Sequence, residues 1–238
     1  MIRAHAAPLV LLAVLVAITL WPVIIQPGGV LIGHAYGDMP DHFWGTWWFG
    51  NELLSGRFPL TTNVSHFPEA LTLWYVDPIG ALLALPAHPL GPAVAWNLLV
   101  AMQLFASTVA AYAIGFGATQ DKAAGLVSAM VAGLSPYALG LVHSGLAECL
   151  TLTPVILFVP TALRALSMDP AGREPRPRDA VLAGLMLGAA GTGSSYYGIF
   201  GALFAGGTLL GPGWRARLRT MLKIVGIGTL VALPSAAM

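Results

Sequence analysis

Two carboxylates three residues apart, Asp38 and Asp41, open the one stretch of this sequence with enough polar chemistry to host a reaction. Residues 37–77 hold five of the ten acidic side chains (Asp38, Asp41, Glu52, Glu69 and Asp77), a single base, Arg57, and four of the seven tryptophans. A carboxylate at a membrane–water boundary can act as general base toward an acceptor hydroxyl, or can hold a cation. The same residues also suit a helix start. Asp38 would be the N-cap, Pro40 would sit in the first turn, and Asp41 would complete a capping-box arrangement favoured by the helix dipole. Both readings stand, for different carboxylates if need be. Asp38 is the better candidate base because it lies nearest the first apolar span, where a lipid-borne substrate would arrive.

Other side chains could take part. Arg57 is the only cation of this stretch and could pair with a phosphate, or else with Glu52 or Glu69. Glu148, with His143 and Ser144 just before it, is an ionisable group near membrane depth, where such groups usually face a cavity; the alternative is a side chain reaching to the lipid headgroups. Tyr196 and Tyr197 either line a substrate groove or belt the interface. His34, His42 and His66 lack metal-ligand spacing and read as loop histidines. The single cysteine, Cys149, rules out an internal disulfide and any CxxC site, and reads as a small buried hydrophobe. Gly191–Ser195 lacks the Gly-Lys-Ser/Thr ending of a phosphate loop. No metal-binding motif is present, so a divalent cation would have to be held by scattered carboxylates. Asn63-Val64-Ser65 matches a glycosylation sequon, a pattern common by chance.

The elements that must position these groups are membrane helices. The chain is 57% hydrophobic and 9% charged, with a mean hydropathy of +0.77; soluble domains carry roughly 25% charged residues. The composition therefore predicts an all-α polytopic bundle. A net charge of +1 without a basic stripe argues against a nucleic-acid partner. Apolar runs fall at about 7–25, 91–117, 124–141, 146–166, 180–193, 196–211 and 220–236. The first is too long for a signal-peptide core and reads as an anchor that stays. The segment 78–87 is too short to cross and predicts a half-helix or interfacial dip. As one helix the fifth and sixth runs would reach about 46 Å, too long for a hydrocarbon core near 30 Å. As two short helices joined at Gly191–Ser195, they give seven spans with the N-terminus cytoplasmic. Ten of the eleven Lys and Arg residues then lie inside and only Arg57 outside. The 26–77 loop and a small loop near 142–146 are then external, and 167–179 is a cytoplasmic linker. Residues 39–56 predict an amphipathic helix lying on the membrane, with Phe43, Trp44, Trp47 and Leu54 on one face.

In this order the segments resemble the N-terminal module of the GT-C superfamily, membrane glycosyltransferases that use polyprenyl-phosphate sugars. The resemblance covers almost the whole chain and rests on several short motifs. They are Gly37-Asp38 at the head of a long first external loop, Gly56-Arg57-Phe58-Pro59-Leu60, His66-Phe67-Pro68-Glu69-Ala70, Asp77-Pro78 and Ser195-Tyr196-Tyr197-Gly198. It implies an inverting transferase of a bacterial inner membrane that moves a sugar from a lipid carrier to an external acceptor. Asp38 is in the position of the catalytic base, with Asp41 in reserve. His143 and Glu148 match a second motif in the next external loop, although the paired carboxylates of a metal site are missing. Because the sequence ends directly after the last apolar run, the N-terminal part of a longer protein is expected. The alternatives are a non-catalytic membrane protein, such as a transporter subunit or scaffold, and a truncated, inactive transferase.

Overall fold

The computed structural model describes residues 2–59, 61–62, 64, 69, 71–72, 77–210 and 213–236. Among them the fold is almost wholly helical: α1 (Ile2–Thr19), α2 (Trp21–Ile25) and α3 (Met39–Leu54), then a hairpin of β1 (Thr61–Thr62) and β2 (Leu71–Thr72). The antiparallel strands pair Thr61 with Thr72 and Thr62 with Leu71. Next come α4 (Pro78–Ala84), a 3₁₀ turn (Leu85–Leu90), α5 (Pro92–Thr119) and α6 (Lys122–Ser128), which runs through a π-helical turn (Ala129–Gly133). The chain continues through α7 (Pro136–Ser144), α8 (Ala147–Leu150), α9 (Leu152–Ala165), α10 (Pro177–Gly193), α11 (Ser195–Gly207) and α12 (Trp214–Ala236). Proline occupies the first turn of α2, α3, α4, α5, α7 and α10, where its missing N–H costs nothing and its fixed φ suits a helix. Ser135 accepts the Ala138 N–H at 3.1 Å to start α7, and Gly145, at φ 71°, ends it.

Two helices, Pro92–Thr119 and Ala147–Ala165, are long and apolar enough to cross a membrane. Lys122–Gly133 and Pro136–Ser144, bent by 44°, make a third if taken as one broken span. The fifth and sixth apolar runs form separate helices, broken at Ser194 and folded back so that Gly191 and Gly198 meet backbone to backbone. α2 ends directly before the expected external loop, α3 lies within it, and the loop's last residue, Asp77, directly precedes α4.

Two expectations change. Residues 39–54 do form a helix, but its buried side chains include His42, Gly45, Thr46, Trp48 and Phe49, and its Trp-rich face packs on protein. The cause is protein packed on both sides of the helix: Gly45 is buried on the side of Asp41, and Gly50 on the side of the tryptophans. Gly50 admits the His88 ring against the backbone, and His88 Nε2 lies 3.1 Å from the Trp47 carbonyl. The 167–179 segment, expected to be a plain linker, is tied down. Asp169 pairs with Arg173 at 2.6 Å and Arg164 at 3.4 Å, and Arg173 also donates to the Gly117 carbonyl at 3.3 Å. The Arg173 guanidinium holds the Asp169 carboxyl down at about 2.

Glycines set the helix seams. Along α5 and α6, a Cβ on Gly125 would lie 2.8 Å from the Tyr112 ring, and one on Gly115 would lie 2.8 Å from the Ala124 carbonyl. On α10, Gly184 and Gly188 are four residues apart and face α12: a Cβ on Gly188 would overlap Val231 and sit 2.7 Å from the Gly228 carbonyl. Close backbone approach at these seams supplies dispersion contacts that a larger side chain would prevent. Gly188→Leu is therefore expected to destabilise the α10–α12 pair by about 1–3 kcal/mol, the usual cost of overpacking. Thermal unfolding in detergent measures it, and Gly140→Leu, at a glycine with open space around its Cβ direction, serves as the control.

Candidate functional site

The segment that leads to Asp38 is held by one side chain. Asn97, near the start of α5, donates through Nδ2 to the carbonyls of Pro27 (2.8 Å) and Val30 (2.6 Å), and its Oδ1 accepts the Ile32 N–H at 3.0 Å. Trp96 Nε1 donates to the Ile32 carbonyl at 2.8 Å. These bonds satisfy backbone groups that leave the helical pattern between α2 and α3, so the loop has a fixed path over the end of the bundle.

From there the loop meets the turn between α7 and α8. A Cβ on Gly33 would lie 3.0 Å from Gly145 Cα, and the Met39 side chain fills the space beside both glycines. Both glycines have positive φ, 128° and 71°, so side chains are excluded by conformation as well as by space. The His34 and His143 rings lie 5.8 Å apart. Glu148, half-buried on α8, is within electrostatic reach of Asp38 and His42. The structure thus brings Asp38, His143 and Glu148 to one pole, with His34 and His42 joining them.

Asp38 and Asp41 are both exposed. Asp38 makes no side-chain cap bond to α3, and its backbone is already helical at φ −79°, ψ −5°. The capping reading of Asp38 fails on that geometry, and its carboxylate is left to solvent. Arg57 lies beyond the other end of α3, paired in two-pronged fashion with Glu52 at 2.6 and 2.7 Å. Those hydrogen bonds hold the half-buried Glu52 carboxyl below its usual range. Arg57 is thus separated from the pole by the length of α3. His66, Trp74, Asn63 and most of the His66–Ala70 motif lie outside the described residues.

The tyrosines divide. Tyr196 is exposed. Tyr197 is buried, donates its hydroxyl hydrogen to the Cys149 carbonyl, and has the Tyr137 hydroxyl 3.1 Å away. With its own hydrogen committed, Tyr197 accepts from Tyr137. It therefore ties α7 and α11 to the α8 turn that carries Glu148, and its ring also lines an apolar pocket with Phe158 and Phe200. Among the described residues no three His, Cys, Asp or Glu side chains gather as a metal site.

A second polar group went unnoticed in the sequence. Asp77 at the head of α4, Gln103 in the middle of α5 and Thr151 between α8 and α9 form a closed triangle. Gln103 Nε2 donates to Asp77 Oδ2 (3.2 Å) and Thr151 Oγ1 (2.9 Å), and Thr151 Oγ1 donates to Asp77 Oδ2 (3.0 Å). Gly80 makes room for it, since a Cβ there would overlap the Asp77 carboxylate. Its signal in the sequence is a glutamine inside a 28-residue apolar helix, a residue type that rarely enters such a helix without a partner.

Tyr197→Phe removes the bond to the Cys149 carbonyl and is expected to cost about 1 kcal/mol in thermal unfolding. It should also speed the labelling of the single, buried thiol of Cys149 by a maleimide, whereas Tyr196→Phe should change neither. Comparison with protein-family models, with curated proteins and with solved structures finds no match.

Proposed function

We propose that this protein is a membrane glycosyltransferase that moves a sugar from a polyprenyl-phosphate carrier to an acceptor hydroxyl on the outer face of a bacterial inner membrane. The observation that carries this reading is the meeting of Asp38, from the first long loop, with His143 and Glu148, from the next loop on the same side. A multi-pass path that returns to one surface would bring those two segments together.

The same path accounts for the opposite pole. His5 Nδ1 lies 2.8 Å from the Tyr112 hydroxyl, and Arg173 reaches the Gly117 carbonyl, so the start of α1, the end of α5 and the 167–179 segment share one end of the bundle. Arg164, Arg173 and Lys122 cluster there, as expected for a cytoplasmic end. On this reading α1, α5, α6–α7, α8–α9, α10, α11 and α12 are the seven spans.

In the proposed reaction the acceptor hydroxyl gives its proton to Asp38 and its oxygen attacks the anomeric carbon. The bond from that carbon to the carrier's phosphate oxygen breaks, and polyprenyl phosphate leaves with the electron pair. Asp38 suits the role because its carboxylate is exposed and committed to no cap. Glu148 and the histidines line the same pole and orient the sugar. An apolar groove of about 370 Å³ between α1–α2 and α5 opens beside Pro27 and Asn97. It gives an isoprenoid tail a place to bury surface within reach of the pole.

Asp38→Asn should lower release of polyprenyl phosphate by about 10²–10⁴-fold, the usual contribution of a general base. Asp41→Asn should lower it far less. Unchanged turnover in Asp38→Asn would remove Asp38 from the base role. A wild-type protein that releases no carrier phosphate from any polyprenyl-phosphate sugar would point to a non-catalytic role.

A further inference from the structure

The Asp77–Gln103–Thr151 triangle is incomplete in an informative way. Asp77 is 4% exposed and Gln103 5%. Each leaves one buried oxygen, Asp77 Oδ1 and Gln103 Oε1, without a hydrogen-bond partner. As placed, both orphans are acceptors, so neither can satisfy the other while the carboxyl is ionised. A buried, unpaired acceptor costs roughly 1–3 kcal/mol, and more if it carries charge.

The bonds already present suggest what is missing. Gln103 Nε2 donates to Asp77 Oδ2, which is one half of the two-point pairing between a primary amide and a carboxylic acid. The other half is an O–H from the acid to the amide oxygen. We propose that Asp77 and Gln103 form a proton-binding site in which Asp77 is held as the neutral acid, its Oδ1–H donating to Gln103 Oε1. One proton satisfies both orphan atoms and removes the buried charge.

The surroundings favour the neutral acid. Asp77 lies outside the spanning segments, at the head of α4. Burial pushes its carboxyl up to about 7, against the pull of the Gly80 N–H, Thr151 and Gln103, and the Glu148 carboxylate adds to the rise. The ionisable side chains on the elements packed around it are mostly acidic or engaged elsewhere. From α8 they are Glu148 and Cys149, and α3 contributes Asp38, Asp41, His42 and the Arg57-paired Glu52. On the 3₁₀ turn His88 bonds the Trp47 carbonyl, α5 has Tyr112, bonded to His5, and α9 and α10 have Arg164, Arg178 and Asp179 at their far ends. A group with a raised carboxyl value takes up protons on folding. Its contribution to stability is therefore full below the ordinary aspartate value of about 4 and is lost as pH rises through about 7.

The test uses the protein in lipid nanodiscs and needs no turnover. Infrared difference spectra at mildly acidic pH should show the carbonyl stretch of a protonated carboxylic acid, fading toward alkaline pH and missing in Asp77→Asn. The amide of Asp77→Asn can mimic the neutral acid by donating to Gln103 Oε1. The unfolding temperature of wild type should fall as pH rises through neutrality, and that of Asp77→Asn should not follow it. Gln103→Leu, which removes the partner, should shift the carbonyl stretch. Absence of the protonated-acid band from wild type at mildly acidic pH would overturn the proposal. So would a rise in wild-type unfolding temperature with added sodium or potassium that Asp77→Asn lacks, because the orphan oxygens would then be ligands of a cation.

Discussion

Asn97 is where an apolar bundle and a polar loop are joined. A chain with 9% charged residues has few side chains able to satisfy backbone groups that leave the helical pattern, and water is excluded from the core. Each such group must find one of the few polar side chains or remain unpaired at a cost of kilocalories. Asn97 meets three of these demands at once, with Trp96 meeting a fourth. The course of residues 27–32 follows from it, and with that course the placement of Gly33, Met39 and the head of α3. The candidate site is downstream of one amide.

Glycine plays the complementary part. Where polar side chains fix irregular backbone, glycines fix the distances between regular elements. The α5–α6 seam, the α10–α12 seam and the α10–α11 hairpin all bring backbones within reach of each other at positions where a Cβ would collide. Such seams tolerate no side chain without overpacking. They make the bundle a rigid support, so that the Gly33–Gly145 contact can hold two loops from distant parts of the sequence at one pole.

Much of this was legible in the chain. Apolar runs gave the helices, and the length argument against one 31-residue helix at 180–211 is met by the break at Ser194. The approach of Asp38 to Glu148 was suggested only by the order of motifs. Three things were hidden, each for a physical reason. The face of α3 that packs on protein depends on Gly50, whose apparent neutrality conceals the close approach of the His88 ring that it permits. Periodicity of large side chains pointed to a lipid-facing tryptophan surface instead. Tyr197 and Tyr196 are adjacent and chemically identical, so only tertiary packing separates a buried positioning hydroxyl from an exposed one. The pairing of Asp77 with Gln103 and Thr151 joins residues 26 and 74 positions away, beyond any local pattern.

Environment also divides the carboxylates into different kinds of chemistry. Glu52 and Asp169 are neutralised by arginine and are structural. Asp38 has solvent around it and no bond to its own helix, the condition for a group that must give and take a proton with a ligand. Asp77 has neither arginine nor solvent, only the Gln103 amide, the Thr151 hydroxyl and the Gly80 N–H, the setting in which we propose a neutral acid. Thr151 links these extremes, because it bonds Asp77 and ends the α8 turn on which Glu148 approaches Asp38. Asp77 is therefore one hydrogen bond from the turn that carries Glu148, one element away from the exposed carboxylate proposed to do the chemistry.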